Sequence, residues 1–245
     1  MVPVYDRHFT QGTGMAAAER NNEWRIQVGT EETTAILEPA SAPSNGTLFV
    51  CAHGAGGHMA DRGILALSEL FRHCGMHVVR FNFLYREKKA GRPDPMPRLE
   101  ECIAAVVAHA RAEVRPNLLI IGGRSMGGRA ASMLAAGGFP CDGLLLLAYP
   151  LHPAGEPEKL RDAHLAQIKA PVLCFNGTRD PLCRRDLMEG IVSRLGGAWS
   201  MHWLEGADHS FHVLKSSRRT DQDILTEVGD VSARWASALI PAMGR

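Results

Sequence analysis

Short apolar runs alternate with amphipathic stretches along most of the chain. Trp24–Val28 and Thr33–Leu37 read as opening strands, followed by a turn rich in Pro, Ser and Asn. Leu48–Ala52, His77–Phe83, Leu118–Ile121, Leu144–Ala148, Val172–Phe175 and Ser200–Leu204 continue the strand series. Between them, apolar residues recur at helical spacing over Ile64–Phe71, Leu99–Ala112, Met126–Ala136, Leu160–Ile168, Leu187–Leu195 and Asp223–Ile240. Strands that are apolar on both faces and alternate with helices predict a mostly parallel sheet covered by helices on both sides. The pattern shows no internal repeat and no linker long enough to divide it. Residues 23–245 are therefore expected to form one α/β domain, and residues 1–22 an N-terminal extension within which Met15 is an alternative start.

Composition adds exclusions. Of 245 residues 45% are hydrophobic and 22% charged, which excludes a disordered chain. Lys plus Arg number 27 against 26 Asp plus Glu, so the net charge of +1 gives no general pull toward nucleic acid or an anionic membrane. No apolar run approaches the roughly 18 residues of a membrane span. Asp6, Arg7 and His8 interrupt the first apolar residues, so no secretory leader is expected. The six cysteines show no C-x-x-C pair and no metal spacing, and Cys51 and Cys174 sit inside apolar strands. Reduced thiols and a cytoplasmic setting are the expectation.

In an open parallel sheet, ligands bind beyond the carboxyl ends of the strands. Four such positions carry chemistry. Gly123-Arg124-Ser125-Met126-Gly127 follows a strand and opens a helix, the G-x-S-x-G setting that presents a serine at the tip of a tight turn. His53-Gly54-Ala55-Gly56 follows Leu48–Ala52, where glycines free main-chain N–H groups to face an oxyanion. Ala55 and Met126 are the expected donors. The spacing lacks the full dinucleotide-binding fingerprint, and no acidic residue ends the next strand. Asp180 follows Val172–Phe175, and His209 follows Ser200–Leu204. A serine hydroxyl needs a base to take its proton and a carboxylate to orient that base. Ser125, Asp180 and His209 meet this need, with Asp208 and Asp142 as weaker candidates for the acid.

These four motifs, in this order over about Leu48 to Phe211, resemble an α/β-hydrolase-fold serine hydrolase. His53–Gly57, Arg80-Phe81-Asn82-Phe83 and Tyr149-Pro150-Leu151-His152-Pro153 are similar to the small cap-less, dienelactone-hydrolase-like group. Dienelactone hydrolases usually carry a cysteine nucleophile where this chain has Ser125, so their substrate does not transfer. The resemblance implies an ester- or thioester-cleaving enzyme that needs no cofactor and no metal and acts on a small acyl substrate. An acyltransferase or a non-catalytic interaction protein of the same fold are the alternatives.

Only residues 149–171 separate two strands where capped relatives often insert a lid, so no cap domain is expected. Tyr85 and Arg86 in the basic loop 85–98, Arg124 beside the serine, and His152 are the candidate substrate contacts. The basic loop reads first as a solvated face. Arg124 and Arg129 are expected to brace the serine turn more than to hold a substrate. His202, His209 and His212 lack a ligand pattern for a metal.

Overall fold

A computed structural model describes residues 22–240; the N-terminal extension expected over 1–22 lies almost wholly outside the described residues. Eight strands form one sheet in the order β1-β2-β4-β3-β5-β6-β7-β8. They are β1 (Glu23–Val28), β2 (Glu31–Glu38), β3 (Thr47–Ala52), β4 (His77–Phe81), β5 (Leu118–Arg124), β6 (Gly143–Leu147), β7 (Val172–Gly177) and β8 (Trp199–Leu204). β1 pairs antiparallel with β2, and β2 with β4; every other neighbour is parallel. The parallel strands are joined through α1 (Arg62–His73), α2 (Leu84–Glu87), α3 (Met96–Val114), α4 (Met126–Ala136) and α5 (Arg185–Leu195), and α6 (Asp221–Leu239) closes the chain.

The two-residue period of the strands divides the core. Leu48, Val50 and Ala52 of β3 face one side with Leu119 and Ile121 of β5, against Ile103 of α3, Ala130 of α4 and Met188 of α5. Phe49 and Cys51 face the other, with Leu118 and Ile120, against Leu67 of α1 and Val228 of α6. Burial on both faces explains why these strands are apolar without alternation. α6 is fixed at its start by a capping box between Thr220 and Asp223. All six cysteines are unpaired. Among the described residues, no helix is long and apolar enough to cross a membrane.

Two stretches depart from expectation. The helix read over Leu160–Ile168 contracts to one 3-10 turn, Leu165–Gln167, held by i to i+3 bonds such as Gln167 N–H to His164 O at 3.0 Å. Leu160 is 39% exposed while Leu165 and Ile168 are buried, so the segment has too narrow an apolar face to pack a full helix. The basic loop begins instead with the turn of α2. Its Lys88 pairs with Glu31, and Arg98 reaches the same Glu31 at 2.7 Å, so these cations tie the loop to β2. The connection from β6 to β7 contains no inserted domain.

Candidate active site

The β5–α4 junction is a forced turn. Ser125 has φ 50° and ψ −116°, a conformation that residues with a Cβ rarely adopt. It is affordable here because its flanks are glycine. A Cβ on Gly123 would lie 2.1 Å from Ala52 O, and one on Gly127 2.6 Å from His53 O, so no larger residue lets β5 and α4 approach β3 this closely. Ser125 N–H donates to Leu147 O at 2.8 Å, and Ser125 O starts the helix by accepting Arg129 N–H at 3.0 Å. The side chain is thereby held at the carboxyl edge of the sheet.

The ends of β7 and β8 are stitched together. Thr178 N–H donates to Leu204 O at 3.1 Å and Arg179 N–H to Ala207 O at 2.9 Å. A Cβ on Gly177 would lie 2.1 Å from Ala207 O. This close join brings Asp180 to His209: Nδ1 lies 2.8 Å from Asp180 Oδ2, and Nε2 lies 3.0 Å from Ser125 Oγ. An ionised carboxylate only accepts, so Nδ1 carries the proton and Nε2 accepts from the serine hydroxyl. The Asp180 side chain is fully buried, and that of His209 is 24% exposed.

Asp208 and Asp142 are engaged elsewhere. Asp208 Oδ1 accepts Ser210 N–H at 2.7 Å and His212 N–H at 3.1 Å, shaping the histidine loop. Asp142 Oδ2 accepts Leu119 N–H at 2.7 Å, near the start of β5. Arg124 Nη2 donates to His209 O at 2.9 Å and so supports that loop from the serine side. Arg129 makes no such brace: its Nε is buried without a hydrogen-bond partner.

A cavity of about 270 Å³ opens at Ser125, lined by Ala55, Met126, Arg129, Pro150, Pro153, Arg161 and Leu182. No hydrogen bond among the described residues occupies the Ala55 or Met126 N–H, and both residues share this cavity with the serine. The other sequence candidates lie outside its lining. Tyr85 is buried against His53, ring centroids 5.9 Å apart, and Arg86 lies over the Tyr85 ring. His152 is buried as well; its Nδ1 contacts Pro153 O at 2.8 Å and its Nε2 accepts Arg184 N–H at 3.1 Å, so it shapes the 149–184 loops. His202 is paired with Glu227 at 2.6 Å and His212 with Asp221 at 2.8 Å.

With this geometry in place, the sequence matches the alpha/beta hydrolase domain model over residues 45–237, most of the chain. The protein belongs to the α/β-hydrolase domain family. Solved structures share the fold at low identity. A serine hydrolase homologue from Coxiella burnetii is 20% identical with a TM-score of 0.71, covering 89% of this chain and 99% of its own. A serine hydrolase without a lid from Xanthomonas campestris is 21% identical with a TM-score of 0.71, covering 91% and 96%. A dienelactone hydrolase from Anabaena variabilis is 18% identical with a TM-score of 0.65, covering 88% and 97%.

Two residues of this α/β-hydrolase escape a sequence reading centred on motifs. Asn176 is fully buried; its Nδ2 donates to Asp180 Oδ2 and to Tyr149 O, both at 3.0 Å, while its Oδ1 accepts Tyr149 N–H at 3.2 Å. The signal was present: a polar residue ends the otherwise apolar run Val172–Phe175. Arg161 sat inside an expected helix, which hid its place in the cavity.

His53 shows how the Gly54–Ala55 turn is anchored. It is 1% exposed, its Nε2 accepts Phe83 N–H at 3.2 Å, and Nδ1–H donates to Gly54 O at 2.8 Å. Burial pushes its pKa from 6.5 down to about 4, although the Gly54 carbonyl opposes the shift. Folding thus favours the neutral ring. Above pH 6.5 the stability is fully present; below it the unfolded chain takes up the proton first, and stability falls until pH reaches about 4. Folding free energy is expected to drop by up to about 3 kcal/mol across that window from this ring alone. His164, likewise lowered to about 4 by burial and then by Arg129, acts in the same direction. Urea unfolding at pH 7 and pH 4.5 should show His53→Gln losing less stability than wild type; parallel losses would contradict the assignment.

Proposed function

We propose that this α/β-hydrolase cleaves small carboxylic esters or thioesters through Ser125, His209 and Asp180. The observation that carries this reading is the continuous chain from Ser125 Oγ to His209 Nε2 at 3.0 Å and from His209 Nδ1 to Asp180 Oδ2 at 2.8 Å. Oγ attacks the carbonyl carbon while His209 takes its proton and Asp180 holds the imidazole in the required tautomer. The carbonyl oxygen gains a negative charge facing the Ala55 N–H after β3 and the Met126 N–H at the start of α4. Collapse of the tetrahedral adduct expels the alcohol or thiol, which leaves with the proton from His209. Water then attacks the acyl-serine with His209 again as base, releasing the acid and restoring Ser125. The absence of an inserted domain over 149–171 supports direct access of water and of short substrates to the serine.

The test is labelling by a fluorophosphonate probe, which requires an activated serine. Native protein is expected to carry one adduct, mapped to Ser125 by peptide mass spectrometry, and heat-denatured protein none. Equal labelling in both states, or labelling elsewhere, would overturn the reading.

A further inference from the structure

Arg129 and Arg161 converge on the Ser125 cavity from different segments, α4 and the 149–171 connection. Two other arginines of the fold, by contrast, have carboxylate partners: Arg80 meets Glu38 at 2.6 Å, and Arg98 meets Glu31 at 2.7 Å. No carboxylate lies within ion-pairing distance of Arg129 or Arg161 among the described residues. Glu100 acts on Arg129 only through space, with no ion pair between them. Glu156, the acid that acts on Arg161, is itself paired with Lys159. Arg161 Nη1 donates only a long bond to Pro150 O, at 3.3 Å. Arg129 Nε is buried and has no acceptor at all.

The two cations also act against each other. Burial lowers the Arg161 pKa first, and the neighbouring Arg129 charge lowers it further. Two partly buried like charges beside the apolar walls of Pro150, Pro153 and Leu182 are unfavourable unless an anion joins them. Guanidinium forks match a carboxylate in shape as well as in charge.

We propose that Arg129 and Arg161 form a carboxylate-binding subsite, so that the preferred substrate is a short ester with a free carboxylate on the part held in this cavity. This specificity rests on the esterase reading above; the subsite itself is a property of the two arginines. The cavity of about 270 Å³ also contains Ser125 and both candidate oxyanion donors, so the carboxylate and the scissile carbonyl must be a few bonds apart. A half-ester of a short dicarboxylic acid has that form.

The experiment compares initial rates with monomethyl glutarate and its neutral counterpart, dimethyl glutarate, in wild type, Arg129→Gln and Arg161→Gln. Wild type should prefer the half-ester in kcat/KM by about tenfold or more, and each substitution should cut that ratio about tenfold, the scale of a lost charge-assisted hydrogen bond. A wild-type ratio of one or less, or a ratio unmoved by both substitutions, overturns the subsite. Calorimetric titration of glutarate into the same three proteins separates this from the esterase reading. Binding that both substitutions weaken, without turnover of either ester, upholds the subsite and rejects ester cleavage. Turnover of both esters without glutarate binding does the reverse.

Discussion

Ser125→Ala is expected to lose hydrolysis of a short p-nitrophenyl ester by about a millionfold while the protein remains folded. The size of the loss follows from how completely the proposed mechanism depends on one oxygen. Without Oγ, His209 has no hydroxyl to deprotonate, and water in its place is not held at 3.0 Å from Nε2 by the turn. The fold should tolerate the change because alanine keeps the Cβ, and φ 50° at this position is imposed by the glycine-flanked turn rather than by the hydroxyl. Thermal unfolding within a few degrees of wild type, with steady-state rates at background, is the expected pair of results. More than about one part in a hundred of wild-type activity would remove Ser125 from the reaction, since no triad serine is that dispensable.

The sheet, and the positions of Ser125, Asp180 and His209 just after its strands, are legible in the sequence for a common reason. β3, β5, β6 and β7 are buried on both faces, so their composition reports their burial directly, as in Leu144–Leu147. Chemistry placed just after such strands stands out against them. The residues that were hidden act across the fold. Arg161 lines the cavity only because the 149–171 connection bends back over α4, where Tyr149 Oη donates to Arg161 O at 2.7 Å. Leu165 and Ile168, three residues apart, imitate helical spacing there, but with Leu160 exposed only the single turn around Leu165 packs. The basic loop is exposed at Lys88, Lys89 and Arg92, as a solvated face should be, while Lys88 and Arg98 look free in sequence and meet Glu31 of β2 in space. Local pattern identifies elements; which charges remain unpaired is decided by contacts far apart in the chain.

That distinction bears most heavily on Asp180, where the second large effect is expected. Asp180→Asn should lower kcat by about ten-thousandfold. Every neighbour of this carboxylate is a donor: Leu182 N–H reaches Oδ1 at 2.8 Å, while Asn176 Nδ2 and His209 Nδ1 reach Oδ2 at 3.0 and 2.8 Å. An asparagine must turn its NH2 toward one set of these donors. Facing His209, it drives the ring proton from Nδ1 to Nε2, where it points at Ser125 Oγ, and the imidazole can no longer act as a base. Facing Leu182, it leaves a buried amide opposite another N–H and keeps only a neutral oxygen for His209. Such a mismatch costs about 1–3 kcal/mol of stability. Each orientation leaves one such mismatch, with Asn176 Nδ2 in the first and with Leu182 N–H in the second, but the first predicts the larger kinetic loss, so the rate identifies which one the site adopts. Activity within tenfold of wild type would mean that Asp180 does not orient the base, and the proposed role of His209 would fail with it.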